Sequence, residues 1–194
     1  KEEYGEERAQ AIFKSLLVRS KASIRVADLS RKEEIKAVLE ATDSPLAATG
    51  LVKEQGHFAG HDLFAEGAIT IQDESSQLVA PTLDLQGDEQ VLDACAAPGG
   101  KTAHMASYLT SGKLTALDLY DHKLDLIQEN AERLGVADQV QTQKLDARKV
   151  HEFFGRDSFD KILVDAPCSG IGLLRRKPDI KYNKETADFI DRKS

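Results

Sequence analysis

The sequence predicts an α/β fold in which a doubly wound parallel sheet follows a small N-terminal α/β appendage. Four segments of strand length lie beyond residue 90: 91–95, 113–119, 140–145 and 159–164, the last of which is strongly apolar. They alternate with segments of helical periodicity, which indicates βαβ units and a parallel sheet covered on both faces. Before residue 84 the apolar segments are shorter and less regular. We therefore predict an appendage and linker over residues 1–86 and a main domain over residues 87–194.

The appendage is predicted to begin with an amphipathic helix over residues 3–18, followed by a short strand over residues 23–27. Ser30 and Glu33 have the spacing of a capping box, in which each side chain satisfies an otherwise unpaired backbone N–H. We expect this box to open a helix that ends near Glu40. The residues expected to face inward are Ile35, Val38 and Leu39.

The elements that follow are predicted from turn residues and periodicity. Residues 41–72 are rich in Gly, Ala and short apolar pairs, which predicts a loop with small strands. Asp73 or Ser75 is expected to cap a helix that runs through Leu83, and Gly87 marks a turn. The helices of the main domain are predicted over residues 99–109, 121–134 and 147–154.

Composition excludes several classes of protein. Hydrophobic residues make up 41% of the chain and charged residues 30%, which excludes a disordered or collagen-like protein. No apolar run approaches the roughly 20 residues of a membrane span, so no membrane partner is predicted. Two lone thiols, Cys95 and Cys168, fit a reducing, cytoplasmic compartment. Only His57 and His61 are spaced like a ligand pair, and without a third ligand nearby they predict no metal. Since the first residue is Lys1, we expect the chain to be a piece of a longer protein.

The net charge of −7 is unevenly distributed along the chain. Residues 1–40 carry a net charge of +1, residues 41–90 carry −8, and residues 91–194 carry zero. Within the last part, residues 166–194 hold 7 basic and 4 acidic side chains. Local charge steers a polyanion more than the total does, so a nucleic-acid partner stays open.

The turn after the first strand of the main domain is the first candidate site. Ligands of such sheets bind at the carboxyl ends of the strands, where small residues let a ligand approach the backbone. This turn could simply reverse the chain, but its density of small residues favours a ligand loop. The residues of this loop are Cys95, Ala96, Ala97, Pro98, Gly99, Gly100 and Lys101.

Two classes of cofactor compete for this loop. Gly100, Lys101 and Thr102 match the end of a Walker A motif, although Cys95 stands where its first glycine belongs. The alternative is a nucleoside whose ribose is held by Asp118 at the end of the second strand. Carboxylates follow all four strands: Asp93, Asp118, Asp146 and Asp165. Such a ring repels a triphosphate and suits a cationic, hydroxyl-rich ligand such as S-adenosylmethionine. We favour the nucleoside and keep a P-loop ATPase as the alternative.

The residues after the fourth strand are candidates for chemistry on a substrate. Cys168 follows a proline just past the strand end, where it could act as a thiolate nucleophile or simply be a small buried residue. The basic residues that follow could bind phosphates or form an ordinary solvated face, and Tyr182 could stack on a base. These basic residues are Arg175, Arg176, Lys177 and Lys181.

Together these motifs resemble those of the RNA (cytosine-5)-methyltransferases. Residues 93–102 (DACAAPGGKT) resemble the cofactor loop of that family, and residues 165–170 (DAPCSG) resemble its fourth motif. Residues 71–77 and 175–181 resemble the bacterial members that act on 16S ribosomal RNA. The resemblance extends over residues 20–194.

This resemblance implies a Rossmann-like S-adenosylmethionine-dependent methyltransferase fold and a 16S ribosomal RNA substrate. It implies that residues Cys95 through Lys101 hold the cofactor, with Asp118 at the ribose. It also implies that Asp146 lies near the adenine and Asp165 near the methionine end.

The resemblance further implies a mechanism in which a cysteine attacks C6 of cytosine, so that C5 accepts the methyl group. RNA members use two cysteines, and by this analogy Cys168 assists product release. The attacking cysteine belongs to a later motif that this sequence does not contain, so we expect this chain to bind the cofactor without methylating RNA. Two alternatives are direct attack by Cys168 and a catalytically silent RNA-binding module.

Overall fold

The computed structural model describes residues 4–15, 18 and 20–166. It divides the chain into two units, one of residues 1–21 with 167–194 and the other of residues 22–166. The first unit contains helix α1 (Glu6–Ser15), which has Glu6 and Glu7 in its first turn and Lys14 in its last. These charges complement the helix dipole, and the helix lies within the range predicted for it.

The second unit begins with a four-stranded antiparallel sheet, which we call the first sheet. Its strands are β1 (Ala22–Val26), β2 (Thr42–Asp43), β3 (Gly50–Lys53) and β4 (Ile69–Ile71). Helix α2 (Lys32–Leu39) follows β1 and helix α3 (Asp62–Ala65) precedes β4, so the element order is βαββαβ. The strands are arranged β2-β3-β1-β4. The apolar core of this sheet and its helices includes Ile24, Val26, Ile35, Leu39, Leu51, Leu63 and Ile69.

The predicted capping box is wrong, because a different residue starts this helical segment. Asp28 Oδ1 accepts the backbone N–H of Ser30 at 2.9 Å and opens a single 3-10 turn, Leu29–Arg31. Ser30 lies inside that turn, and α2 follows without a side-chain cap. Ile35 and Leu39 face the core as predicted, but Val38 is 58% exposed.

The side of the first sheet opposite its apolar core is also buried, and most of its side chains are polar. They are those of Ser23, Arg25, Thr70 and Gln72, with Val52 beside Ser23 on the neighbouring strand. Gln77 ends the one-turn helix α4 (Glu74–Gln77) and is fully buried. Its Nε2 donates to Ile24 O at 3.2 Å and to Gln72 O at 3.0 Å, while its Oε1 accepts from Thr49 Oγ1 at 3.1 Å. Segment 71–77, whose sequence resembles the family motif, therefore has a structural role in this fold, because Gln77 links α4 to β1.

A single helix from residue 73 to Leu83 is not observed. Helix α4 ends at Gln77, and helix α5 (Val79–Thr82) starts after Leu78. Pro81 explains the break, since proline lacks the N–H that would reach Gln77 O and its ring would clash with that carbonyl. Asp73 is the N-cap residue of α4, but no side-chain hydrogen bond caps the helix.

The second sheet confirms the predicted parallel α/β arrangement. Its strands are β5 (Gln90–Asp93), β6 (Lys113–Asp118), β7 (Val140–Lys144) and β8 (Lys161–Leu163), in the order β7-β6-β5-β8. All three neighbouring pairs are parallel. The intervening helices are α6 (Gly100–Ala106), α7 (Asp121–Arg133) and α8 (Val150–Phe153). On one face Val91, Leu114 and Ala116 pack with Met105 of α6 and Ile127 of α7.

The other face of this sheet is less covered at its edge than predicted. Ile162 and Val164 are 57% and 65% exposed. Ile162 lines an open groove of about 440 Å³ together with Val150, Phe154 and Phe159. The predicted strand over residues 159–164 therefore shortens to the three residues that pair with β5.

The two sheets have separate apolar clusters, and both lie within the unit of residues 22–166. The division between residues 86 and 87 stays a prediction. Within the described part of the chain, no helix has both the length and the apolar character needed to cross a bilayer.

Candidate cofactor site

All four candidate carboxylates follow strands of the second sheet. Asp93 ends β5 and Asp118 ends β6, while Asp146 and Asp165 each come two residues after a strand. Because the strands are parallel, their carboxyl ends lie along one edge of the sheet, where ligands of such folds bind.

The loop between β5 and α6 is held close to α7 by a glycine. Gly99 has a φ of +100°, and a Cβ built on it would lie 3.0 Å from Ile127 Cα. Both facts exclude a larger residue, because the conformation is left-handed and the neighbouring atom is backbone. Gly100 differs, since a Cβ added there would meet nothing within 4 Å. The start of α6 therefore faces open space next to a fixed loop.

The buried side of the loop is fastened by a carboxylate and a hydroxyl. Thr102 has no exposed surface, and its Oγ1 donates to Asp93 Oδ2 at 2.8 Å. Burial raises the pKa of Asp93 to about 6, although the hydrogen bond from Thr102 opposes this shift. In a P-loop this hydroxyl must reach Mg²⁺, so its burial argues against the Walker A interpretation.

Lys101 and Asp165 join the loop to the end of β8. Lys101 Nζ lies 2.8 Å from Asp165 Oδ2, and the Asp165 side chain is more exposed than that of Lys101. The lysine that would contact phosphates in a P-loop thus forms an ion pair with a neighbouring strand end. Asp165 keeps exposed surface that a ligand can contact.

Cys95 is a half-buried free thiol in this loop. Burial raises its pKa, and the carboxylates of Asp93, Asp118 and Asp165 raise it further. A thiol surrounded by anions stays protonated at neutral pH, and the thiolate is the nucleophilic form. Cys95 is therefore poorly suited to nucleophilic attack.

Asp118 presents one carboxylate oxygen to the protein. Its Oδ1 accepts the backbone N–H groups of Leu119 at 2.7 Å and Tyr120 at 3.3 Å. Lys123 Nζ lies 3.7 Å from the same oxygen and 5.0 Å from the centre of the Tyr120 ring. The side chain is 11% exposed, and its Oδ2 has no hydrogen bond among the described residues. Tyr120 is an exposed aromatic residue beside this carboxylate that the sequence interpretation passed over.

Asp146 forms hydrogen bonds with Arg148, a residue that the sequence analysis does not single out. Arg148 donates to it from the backbone N–H at 3.0 Å, from Nε at 3.0 Å and from Nη2 at 2.6 Å. These contacts hold the pKa of Asp146 down at about 2. The Asp-x-Arg spacing was the available signal, because an aspartate side chain commonly bonds a backbone N–H two residues on.

The structure describes only some of the remaining candidates. Cys168 and the basic residues Arg175, Arg176, Lys177 and Lys181 lie outside the described residues. His61 caps α3, since its Nδ1 accepts the N–H of Leu63 at 3.1 Å. Residues 4–15, 18 and 20–166 contain no group of three or more side chains arranged to hold a metal ion.

A parallel sheet of this order, with a glycine turn after β5 and an aspartate ending β6, defines a Rossmann-like domain of the S-adenosylmethionine-dependent methyltransferase class. The chain belongs to the 16S rRNA methyltransferase RsmB/F family, whose model matches residues 80–193. This confirms the predicted fold class and family.

Known proteins resemble the chain over most of its length. The probable ribosomal RNA small subunit methyltransferase B of Bacillus subtilis is 45% identical in an alignment of 192 positions that covers 95% of this chain. The chain spans only 43% of that relative. A methyltransferase homolog from Pyrococcus horikoshii has a TM-score of 0.74 at 31% identity, covering 91% of this chain and 60% of its own. The structure of NSun6 from Pyrococcus horikoshii with SFG has a TM-score of 0.84 at 21% identity, covers 97% of this chain and 73% of its own, and supports the fold.

Proposed function

We propose that this chain supplies the S-adenosylmethionine site of an enzyme that methylates C5 of a cytosine in 16S ribosomal RNA. The observation that carries the proposal is the free Oδ2 of Asp118 at the same sheet edge as the Gly99-Gly100 turn. The family and its rRNA methyltransferase relatives support the reaction class. A ribosomal RNA substrate is consistent with a cytoplasmic location.

The residues present fit the cofactor. The open space at Gly100 leaves room beside the backbone of residues 95–101, and Asp118 can accept hydrogen bonds from two ribose hydroxyls. We assign Asp165 to the methionine end and Asp146 to the adenine, since each Asp146 oxygen can accept a further hydrogen bond beside those from Arg148. When bound, S-adenosylmethionine supplies an electrophilic methyl group on a sulfonium.

The substrate side of the proposal rests on the sequence motifs. We assign Cys168 to product release and Arg175, Arg176, Lys177 and Lys181 to RNA phosphates. A protonated Cys95 at the sheet edge fits this division, because it leaves covalent chemistry to another cysteine. A covalent adduct between 5-fluorocytidine RNA and this chain, lost on Cys168→Ala, would instead favour direct attack by Cys168.

Removing the Asp118 carboxylate is expected to weaken cofactor binding. Asp118→Ala should cost about 2 kcal/mol, or roughly 30-fold in the Kd of S-adenosylhomocysteine, since a charged acceptor is lost. Asp118→Asn can retain the Oδ1 contacts to Leu119 and Tyr120, so it separates ligand binding from turn structure. Calorimetric titration measures both, with Asp125→Ala as the control for loss of an exposed carboxylate on α7.

Mg·ATP titrated into the same samples tests the alternative. Binding of S-adenosylhomocysteine alone, weakened by Asp118→Ala and not by Asp125→Ala, supports the proposal. Binding of Mg·ATP alone would favour a P-loop protein. Binding of neither ligand, in a chain that retains RNA affinity, would favour a silent RNA-binding module.

A further inference from the structure

We propose that Asn130 is a positioning residue that holds the cofactor loop in shape, and that Arg133 orients Asn130 by anchoring it to the first sheet. The inference rests on the proposed cofactor site at this loop. It makes the first sheet a contributor to cofactor affinity, although none of its residues lies at the carboxyl edge of the second sheet.

Asn130 contacts the loop through a main-chain carbonyl. Its Nδ2 donates to Pro98 O at 2.8 Å and to Leu126 O, one turn earlier on α7, at 3.2 Å. Pro98 immediately precedes Gly99, and a Cβ on Gly99 would lie 3.5 Å from Asn130 Cβ. The hydrogen bond therefore reaches the loop at the point where the left-handed turn begins.

Few other hydrogen bonds fix this stretch of the loop. Pro98 has no N–H to donate. Gly99 N donates to Ala96 O at 2.8 Å within the loop itself, and Ala96 N donates to Leu117 O at 2.9 Å. Thr102 of α6 reaches Ala96 O at 3.5 Å, and among the described residues the Asn130 amide is the side-chain group that bonds Pro98 O and so joins the loop to α7.

Arg133 determines which way the Asn130 amide points. Its Nη2 donates to Asn130 Oδ1 at 3.0 Å, so the oxygen faces the guanidinium and Nδ2 faces Pro98 O. A guanidinium can only donate, which makes this amide orientation the one that satisfies both partners.

Arg133 is in turn fixed by the first sheet. Its Nη1 donates to Phe64 O at 2.9 Å and to Ile69 O at 3.2 Å. Its Cζ lies 4.0 Å from the centre of the Phe64 ring, which is a cation–π distance. These contacts form one path from Phe64 and β4 through Arg133 and Asn130 to the cofactor loop.

Gly67 shows how closely the two parts are packed. It has a φ of +76°, and a Cβ on it would lie 1.8 Å from Arg133 O. The segment between α3 and β4 therefore abuts the last turn of α7 backbone to backbone. This close packing prevents Arg133 from shifting without moving the first sheet.

The test replaces one atom of the path. Asn130→Asp keeps an oxygen for Arg133 but places the second carboxylate oxygen against Pro98 O, where two acceptors repel. Gln128→Glu is the matched control, because it makes the same chemical change two residues away, where Gln128 Nε2 contacts only Glu132 at 3.0 Å. Arg133→Lys is the second variant, since a lysine cannot span Asn130, Phe64 and Ile69 together.

We expect Asn130→Asp to raise the Kd of S-adenosylhomocysteine about tenfold and Arg133→Lys to raise it severalfold, with Gln128→Glu within twofold of the parent. Amide hydrogen exchange followed by mass spectrometry gives a readout without ligand. Residues 95–101 should exchange faster in Asn130→Asp and not in Gln128→Glu.

A folded Asn130→Asp variant with unchanged affinity and unchanged exchange would overturn the inference. Uniformly faster exchange over both sheets would also overturn it, because Asn130 would then act on global stability. A parent chain that binds no S-adenosylhomocysteine would refute the proposed function, while the exchange of residues 95–101 would still decide whether Asn130 holds the loop.

Discussion

Alanine in place of Gly99 is expected to abolish measurable cofactor binding. The φ of +100° costs a residue with a Cβ about 1–2 kcal/mol, and the contact 3.0 Å from Ile127 Cα forces either the loop or α7 to move. Since the loop forms one wall of the candidate site, its displacement should weaken binding by roughly 100-fold or more, equivalent to about 3 kcal/mol. Calorimetric titration with S-adenosylhomocysteine measures this effect.

Two other glycines separate the causes of that loss. Gly155→Ala is the control for substitution itself, since a Cβ there would make only an ordinary contact of 3.7 Å with Ser158. Gly100→Ala meets nothing within 4 Å, so it should preserve the thermal midpoint and weaken binding only by filling space next to the ligand. Cofactor binding by Gly99→Ala at the parent's affinity would show that the loop is not part of the site.

Acid is expected to destabilise this protein through a single buried histidine. His104 lies on α6 and is 1% exposed. Burial and, to a lesser extent, the charge of Arg25 lower its pKa to about 3. The unfolded histidine titrates near pH 6.5, so the neutral side chain stabilises the fold fully above that pH. The stabilisation is lost as pH falls from about 6.5 towards 3, at about 1.4 kcal/mol per pH unit.

Urea unfolding at pH 7.5 and pH 4.5 measures this loss. His104→Gln remains neutral at both values and should lose about 2–3 kcal/mol less stability than the parent between them. His151→Gln is the control, because His151 is an exposed histidine on α8. An equal loss of stability in the parent and in His104→Gln would contradict the prediction.

The second sheet could be predicted because its signals are local. Each strand is a short segment that alternates with a segment of helical periodicity, and the glycines of the cofactor loop lie within ten residues of β5. The predicted length of the edge strand β8 is too great for the same reason. An apolar run such as residues 159–164 does not reveal how many of its residues find a partner strand.

The errors in the first sheet come from competition between neighbouring residues. Asp28 and Ser30 both have side chains that can cap a helix. Asp28 caps a 3-10 turn that includes Ser30, so Ser30 is not the N-cap residue of α2. Pro81 divides a segment whose polar and apolar residues otherwise suit one helix. In both places the pattern was read correctly as helical, but its start or its continuity depended on one residue.

The hydrogen bonds from Arg133 on α7 to the first sheet could not be predicted from the sequence pattern. Arg133 bonds to Phe64, Ile69 and Thr70, which lie 69, 64 and 63 positions earlier in the sequence. On the sequence it is one basic residue near the end of an amphipathic helix, where lysine or arginine is expected for the dipole alone. The same applies to Arg148, whose bond to Asp146 occupies a carboxylate that the sequence offered to a ligand.

The polar side of the first sheet has a consequence for how the protein can meet RNA. Four-stranded sheets of RNA-recognition modules stack bases on aromatic side chains displayed by their strands. Here the corresponding surface consists of Ser23, Arg25, Val52, Thr70 and Gln72, each at most 7% exposed, and Gln77 closes over it. A nucleotide therefore finds no aromatic side chain on this surface, and in our proposal the first sheet acts instead through Arg133 to support the cofactor loop.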